Sequence, residues 1–239
     1  MKSFSGPTII SSMDPFKESA IQEHALGQRA ETVDGRVFRY AQMGEAITIG
    51  AICVSPAIDA TLVNCAVTAA AAIGATSVSF TNAATTATAN EYAEGFAIVS
   101  YGTGLGQILK VASHAAWTSG GASTVTLEDP LTIALDTTSK IEFTHNPWNG
   151  VMMTASSVTV PAGGALRAFT SAYYGWLQTK GVFPGIADGT VTAGYQIMCD
   201  ASTAGDIDLV GTATQQYIVG NAIKASASGY HHPIWLKLE

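Results

Sequence analysis

A short phrase occurs twice in this chain, once near residue 47 and again near residue 191. In the first copy Ile47-Thr48-Ile49-Gly50 runs into Ala51-Ile52-Cys53-Val54, a polar loop, and Asp59-Ala60-Thr61-Leu62-Val63. In the second, Val191-Thr192-Ala193-Gly194 runs into Tyr195-Gln196-Ile197-Met198, a polar loop, and Asp206-Ile207-Asp208-Leu209-Val210. β-Branched residues punctuated by Gly favour strand, turn and strand over helix, so each copy is expected to form a hairpin. The chain then reads as one mainly β body, a small barrel or sandwich, interrupted by a long antiparallel β-insert. Pairing of early and late strands would close the body and bring the two copies together. This organisation points to a structural module rather than to an active site.

The expected domains are an N-terminal arm at residues 1–31, a β-body at residues 32–67 and 149–239, and an inserted β-subdomain at residues 68–148. In the arm, Asp14 can cap, Pro15 suits a first helical position, residues 16–26 contain good helix formers and Gly27 can terminate. A short helix is expected there, with Phe16, Ile21 and Leu26 giving a stripe too narrow to fold alone. After the arm, Asp34-Gly35 between β-branched runs signals a hairpin. In the insert, alternation in Thr76-Ser77-Val78-Ser79-Phe80, Gln107-Ile108-Leu109-Lys110-Val111, Ser123-Thr124-Val125-Thr126-Leu127 and Ser139-Lys140-Ile141-Glu142-Phe143 fits antiparallel strands. In the second half of the body, residues 172–179, 181–183 and 234–238 are candidate strands.

Only 12% of the residues are charged, against roughly a quarter in an ordinary soluble domain. A surface so poor in charge points to burial in an assembly. The net charge is −7 and no Lys or Arg falls between Arg39 and Lys110, so the clustered cations that nucleic-acid binding needs are missing. Cys53, Cys65 and Cys199 lack metal-ligand spacing and form no even-numbered framework, which leaves buried free thiols and synthesis in a reducing cytoplasm as the expectation. The first residues lack a secretory signal's apolar run, and the most apolar stretch, residues 66–75, is too short to span a bilayer. No membrane partner is expected.

Searching for chemistry yields little. Gly102-Thr103-Gly104-Leu105-Gly106 departs from nucleotide-binding loops, since Gln107 stands where a Gly is needed, and reads as a turn cluster. His231-His232 would point to opposite faces of a strand and so would not share a metal. His24, His114 and His145 stand in separate segments. Glu128-Asp129 and Asp206/Asp208 could flank a glycosidic bond only if the fold juxtaposed them. Tyr173, Tyr174, Trp176 and Trp148 could form a sugar platform, or could fill and cap the barrel. No catalytic, cofactor-binding or metal site is expected.

Taken together, these segments resemble a known family. The arm, Asp34-Gly35-Arg36-Val37-Phe38-Arg39-Tyr40-Ala41, Gly44-Glu45-Ala46-Ile47-Thr48-Ile49-Gly50, an Ala/Thr-rich insert ending in Asn146-Pro147-Trp148-Asn149-Gly150-Val151, and Tyr174-Gly175-Trp176-Leu177-Gln178-Thr179-Lys180-Gly181 are similar to the capsid decoration, or cement, proteins of tailed bacteriophages. The likeness runs from about residue 26 onward. It implies a non-enzymatic virion protein, made in the host cytoplasm and clamped on the outer capsid surface between major capsid subunits, often as a homotrimer, without cofactors. The arm is where contacts with the shell or a neighbour are expected, through Phe4, Pro7, Ile9, Phe16, Ile21 and Leu26. Deleting residues 1–30 is accordingly expected to spare the body and abolish particle binding. The competing expectation is a virion-displayed glycan-binding or host-adhesion module, with Trp117 and Tyr101 in an exposed aromatic groove. A tail or head-fibre component would call for long repeats or a coiled coil, and neither is visible.

Overall fold

The computed structural model describes residues 13–56, 62–82, 85–153, 160–200, 202–211 and 217–239. The chain is all-β, with no helix among the described residues, and it divides into two compact units. One is the insert, Ile58–Asn146. The other, the body, joins Ser3–Ala57 to Pro147–Glu239.

The body begins with β1 (Glu18–Ser19), β2 (Arg29–Glu31), β3 (Val37–Met43) and β4 (Ile52–Val54). β2 and β3 form the hairpin signalled by Asp34-Gly35, with Gly35 in the left-handed region and its N–H donating to Thr32 O. The insert supplies β5 (Cys65–Ala66), β6 (Ser77–Thr81), β7 (Phe96–Tyr101), β8 (Ile108–His114), β9 (Ala122–Leu127) and β10 (Lys140–Thr144). The body resumes with β11 (Asn149–Val151), β12 (Pro161–Gly164), β13 (Tyr174–Ile186), β14 (Gln196–Cys199), β15 (Ile207–Leu209), β16 (Ile218–Ala222) and β17 (His231–Lys237).

In the insert the strand order β5-β10-β7-β8-β9-β6 gives a nearly closed six-stranded barrel, and a bridge between Val67 and Phe80 draws its ends together. Alternation delivers Val78, Phe80, Val99, Val111, Val125, Leu127 and Ile141 to one core, as period-two side-chain placement requires.

The body's main sheet runs β11-β3-β13-β17-β16-β14-β15. Its axis is β13, a strand of 13 residues that pairs antiparallel with β3 and β17. The sequence suggests two strands here. The structure has one, carried through a bulge at residues 178–180, because the buried Gln178 amide donates Nε2–H to both Lys180 O and Val182 O at 2.9 Å. The first half of β13 is buried on both faces. Trp176 belongs to a cluster with Phe38, Tyr40, Phe183 and Leu236, whereas Leu177 joins Met43, Cys53 and Phe169. Past β13, Ala187 bridges Ile207 in β15, which curls the sheet back toward its central strand.

Two expectations are corrected. The arm helix does not form: Asp14 Oδ1 accepts the Phe16 N–H in a turn, and Glu18–Ser19 pairs with Tyr174 and Gly175 as β1. Asp-Pro suits a turn as well as a helix start, and pairing with β13 satisfies the backbone that a narrow-striped helix could not bury. The first copy of the repeated phrase is not a hairpin either. Residues 59–61 lie outside the described residues, β4 pairs with β12, and Leu62 packs in the insert core. Only the second copy makes the hairpin, β14 with β15. The copies do approach one another, through Ile52 N–H donating to Gly205 O at 2.7 Å, but they do not pair as strands.

What the phrase encodes is a clamp. A buried residue makes a β-bridge, one residue is skipped, a two-residue turn follows, and a strand departs. Among the described residues this form occurs eight times, beginning at Ile47, Ala71, Ala87, Trp117, Leu135, Phe169, Val191 and, with a polar side chain, Ser226. The copies bridge one another in pairs: Ile47 with Phe169 and Val191 with Ser226 in the body, Ala71 with Leu135 and Ala87 with Trp117 in the insert. Within the body the exchange is reciprocal. Gly194 N–H donates to Ala222 O and Gly229 N–H to Ala187 O, while Gly50 donates to Ala165 and Ala172 to Met43, all at 2.7–2.8 Å. The fourth residue takes positive φ in seven copies. The exception, at Leu135, uses Asp136, whose Oδ1 accepts the Thr138 N–H at 2.7 Å and its hydroxyl at 2.6 Å, an Asx-type closure. Hydroxyls of Thr103 and Thr138 hold the Asp136 carboxyl down to about 2.

Gly194 has φ +83° with nothing near its missing side chain, so substitution there isolates backbone strain. Gly194→Ala is expected to lower unfolding free energy by about 1–2 kcal/mol, and Gly194→Asn by less, because Asn tolerates this region. Urea titrations of the three proteins check the order.

Candidate functional site

Of the six arm residues singled out by sequence, Phe4, Pro7 and Ile9 lie outside the described residues. Leu26 is buried in the body core and offers no outward surface, which corrects its proposed contact role. Phe16 and Ile21 stand out from the body, 59% and 76% exposed.

Their segment is firmly held. Glu18 sits in β1, accepts from Arg167 Nη2 at 3.0 Å and from Thr170 N–H at 2.9 Å, and Arg167 Nη1 donates to Phe16 O at 2.9 Å. Farther along, Glu23 N–H donates to the Tyr40 hydroxyl at 3.1 Å, and the His24 ring packs on Tyr40 and Trp176 at about 5 Å. Burial pushes the Tyr40 phenol up, so the hydroxyl stays protonated. A small cleft between this segment and Tyr174 and Trp176 is lined by Asp14, Glu18 and Glu23. These carboxylates already serve Phe16, Arg167 and Lys17, so the cleft anchors the segment. The result is a fixed backbone that presents two apolar side chains to solvent, which is the form of a contact site.

No family model, no curated protein and no solved structure matches this chain. The geometry therefore carries the functional reading.

The other sequence candidates resolve as follows. Trp176 and Trp148 enter different clusters of the body, with Arg39 over the Trp148 ring at 5.2 Å, so they share no platform. Trp117 is 3% exposed, stacked on Tyr92 and edge-on to Phe80 in the insert core. The aromatic groove expected of a glycan-binding module cannot use it. Tyr101 alone of that pair is exposed. The run at residues 102–106 is the turn cluster between β7 and β8. Gln107 ties it down, donating to Gly104 O and Ile133 O while accepting from the Thr132 and Ile133 N–H groups.

His114 and His145 meet in one aromatic cluster around Tyr92. His114 Nε2 accepts the Tyr92 N–H at 3.0 Å, which assigns its proton to Nδ1, facing Ala115 O at 2.7 Å. Burial lowers its pKa. His231 and His232 face separate carbonyls, Pro184 O and Ala227 O. Among the described residues no group of His, Cys, Asp or Glu is placed to hold a metal ion. The three cysteines form no disulfide, and burial pushes up both the Cys53 thiol and that of Cys199, the latter to about 12. Asp206 and Asp200 lie in the loop of the β14–β15 hairpin, and Asp188, upstream of β14, joins them by accepting from the Ser202 and Thr203 hydroxyls. The Asp206 carboxyl is raised first by burial and then by the charges of Asp188 and Asp200.

Two expectations follow. Below about pH 6.5, the ordinary imidazole value, the unfolded chain gains a proton that the folded insert refuses at His114, so stability falls with pH. His114→Phe removes this dependence and also costs about 1–3 kcal/mol at neutral pH, because the Tyr92 N–H loses its acceptor. Melting at pH 7.5 and pH 5 tests both effects. Asp206 has the opposite sign: its folded form favours the proton, so its contribution is complete in acid and lost as pH rises. Asp206→Asn is expected to raise Tm at pH 7 by about 1–3 °C, with the gain vanishing near pH 3.

Proposed function

We propose that this chain is a structural, non-enzymatic virion protein that binds the outside of a phage capsid and stabilises contacts between major capsid subunits. The observation that carries the reading is the anchored segment with Phe16 and Ile21 facing solvent. It supports a contact role for the arm, the stretch in which contacts are expected because it is longer than a bare barrel requires. The low charge content agrees, since a surface of Thr, Ser and Ala packs against a neighbour without the desolvation cost of many charges.

A cement protein needs no single strong contact. Two apolar anchors per copy, repeated in a homo-oligomer whose implied form is a trimer, make simultaneous release improbable. The large β-cores suit this role, because a clamp transmits load only as far as it resists local opening.

Removing residues 1–30 is too blunt a test, since Leu26 and Ala30 lie in the body core and β1 and β2 pair with β13 and β3. Phe16→Ser combined with Ile21→Ser changes only exposed side chains. The variant is expected to melt like the parent, while co-sedimentation with undecorated, expanded phage heads falls at least about tenfold. Undiminished binding by the double variant, or no binding by the parent, would sink the reading.

A further inference from the structure

The outer face of β13 and β17 carries a second surface that the capsid reading does not use. The register places Lys180 opposite Lys237, Val182 opposite Trp235 and Pro184 opposite Pro233. The alternate residues, Phe183, Ile234 and Leu236, are fully buried, so this row projects from the other side. Val182 is 49% and Trp235 44% exposed. Ile223, also exposed, donates its N–H to Pro233 O and lengthens the apolar strip. Trp235 is the most exposed of the four tryptophans, and nothing in the body's core requires it there.

The lysine pair is the unusual element. Like charges directly opposite on neighbouring strands destabilise a sheet, and in a chain of net charge −7 an offsetting carboxylate would be easy to supply. Among the described residues neither ammonium has one within ion-pair distance. Glu239, two residues beyond Lys237, is turned to Arg39 at 2.8 Å, Arg29 at 3.5 Å and the Thr179 hydroxyl at 2.9 Å. The repulsion is therefore left standing beside an exposed apolar strip.

We infer that this face docks an acidic protein surface, one that sets paired carboxylates beside an apolar side chain. The carboxylates relieve the Lys180–Lys237 repulsion, and the apolar group covers Trp235 and Val182. A second copy in isologous contact is disfavoured, because the twofold would bring four ammonium groups together. Nucleic acid is disfavoured because two cations beside a strip of Trp, Val and Ile neutralise too few phosphates. The face lies along β13 from Lys180 onward, whereas the Phe16–Ile21 segment borders Tyr174 and Gly175, so the inference does not depend on the capsid reading.

The test uses the full chain and a fluorescein-labelled synthetic peptide of alternating Glu and Leu, with a Gln–Leu peptide as control, read by anisotropy. Saturable binding of the Glu peptide is expected, weakened by salt and at least tenfold tighter than that of the Gln peptide. Lys180→Glu carries a double signature. It creates a cross-strand ion pair with Lys237 and so raises Tm by about 1–3 °C, and it weakens the Glu peptide at least tenfold. Trp235→Ser weakens the peptide without this gain in Tm. Absence of saturable binding to the parent, equal binding by Lys180→Glu, tighter binding of an oligo-dT of similar length, or self-association of the parent that Lys180→Glu abolishes would each overturn the inference.

Discussion

Among the described residues β4, β6, β7, β9, β10, β13, β14 and β17 each depart from a place where two turns hold each other. A bridge between two apolar residues, such as Ile47 with Phe169, exchanges two hydrogen bonds. The turn that follows each of them in the body then donates an N–H to the chain just upstream of its partner. Neither turn is satisfied alone, since a two-residue turn leaves backbone donors that burial would orphan. Closing them as a pair fixes where the next strand starts and which way it leaves. The repeated phrase is the trace of this requirement: a buried bridging residue, then Thr, Ala or Asp, and in seven of the eight described copies a fourth residue in the left-handed region.

That trace explains how far the sequence could be read. Alternation in residues 76–80 and 123–127 was legible because each strand carries its own face pattern, and the all-β class follows. The phrase itself is read only at Gly50 and Gly194, although Gly stands fourth at Gly74, Gly120 and Gly229 as well. Its partner at Phe169-Thr170-Ser171-Ala172 hides the same geometry behind Ala172, which bears φ +65°. Reading each copy as a hairpin attributed to local pairing what arises from contact between distant copies. The arm failed for another reason: Asp14-Pro15 is common to helix starts and turns, and the deciding interaction, Glu18 with Arg167, spans 149 residues.

Surfaces were less legible still. Phe16 and Ile21 could be suspected as apolar residues of a polar segment, but Leu26 looked no different and is buried. The Lys180–Lys237 pair depends on the register of β13 against β17, which joins residues 57 positions apart and leaves no local pattern. Aromatic residues are divided between interior and surface, so an exposed one gains meaning from what surrounds it. Trp117 disappears into the insert core, whereas Trp235 stays outside, in the same row as Lys180 and Lys237.

The insert's first and last strands, β5 and β10, are neighbours, with Ile141 opposite Cys65. For the body this turns an entropic burden into a minor one. Joining β4 to β11 and β12 across a disordered stretch of this length would carry a closure cost growing as the logarithm of the loop. Once the barrel has formed, its adjoining ends leave only short tethers to close. The insert thus acts on the body as a folded clip, and folding in the order insert first, body second is the route of least entropy loss.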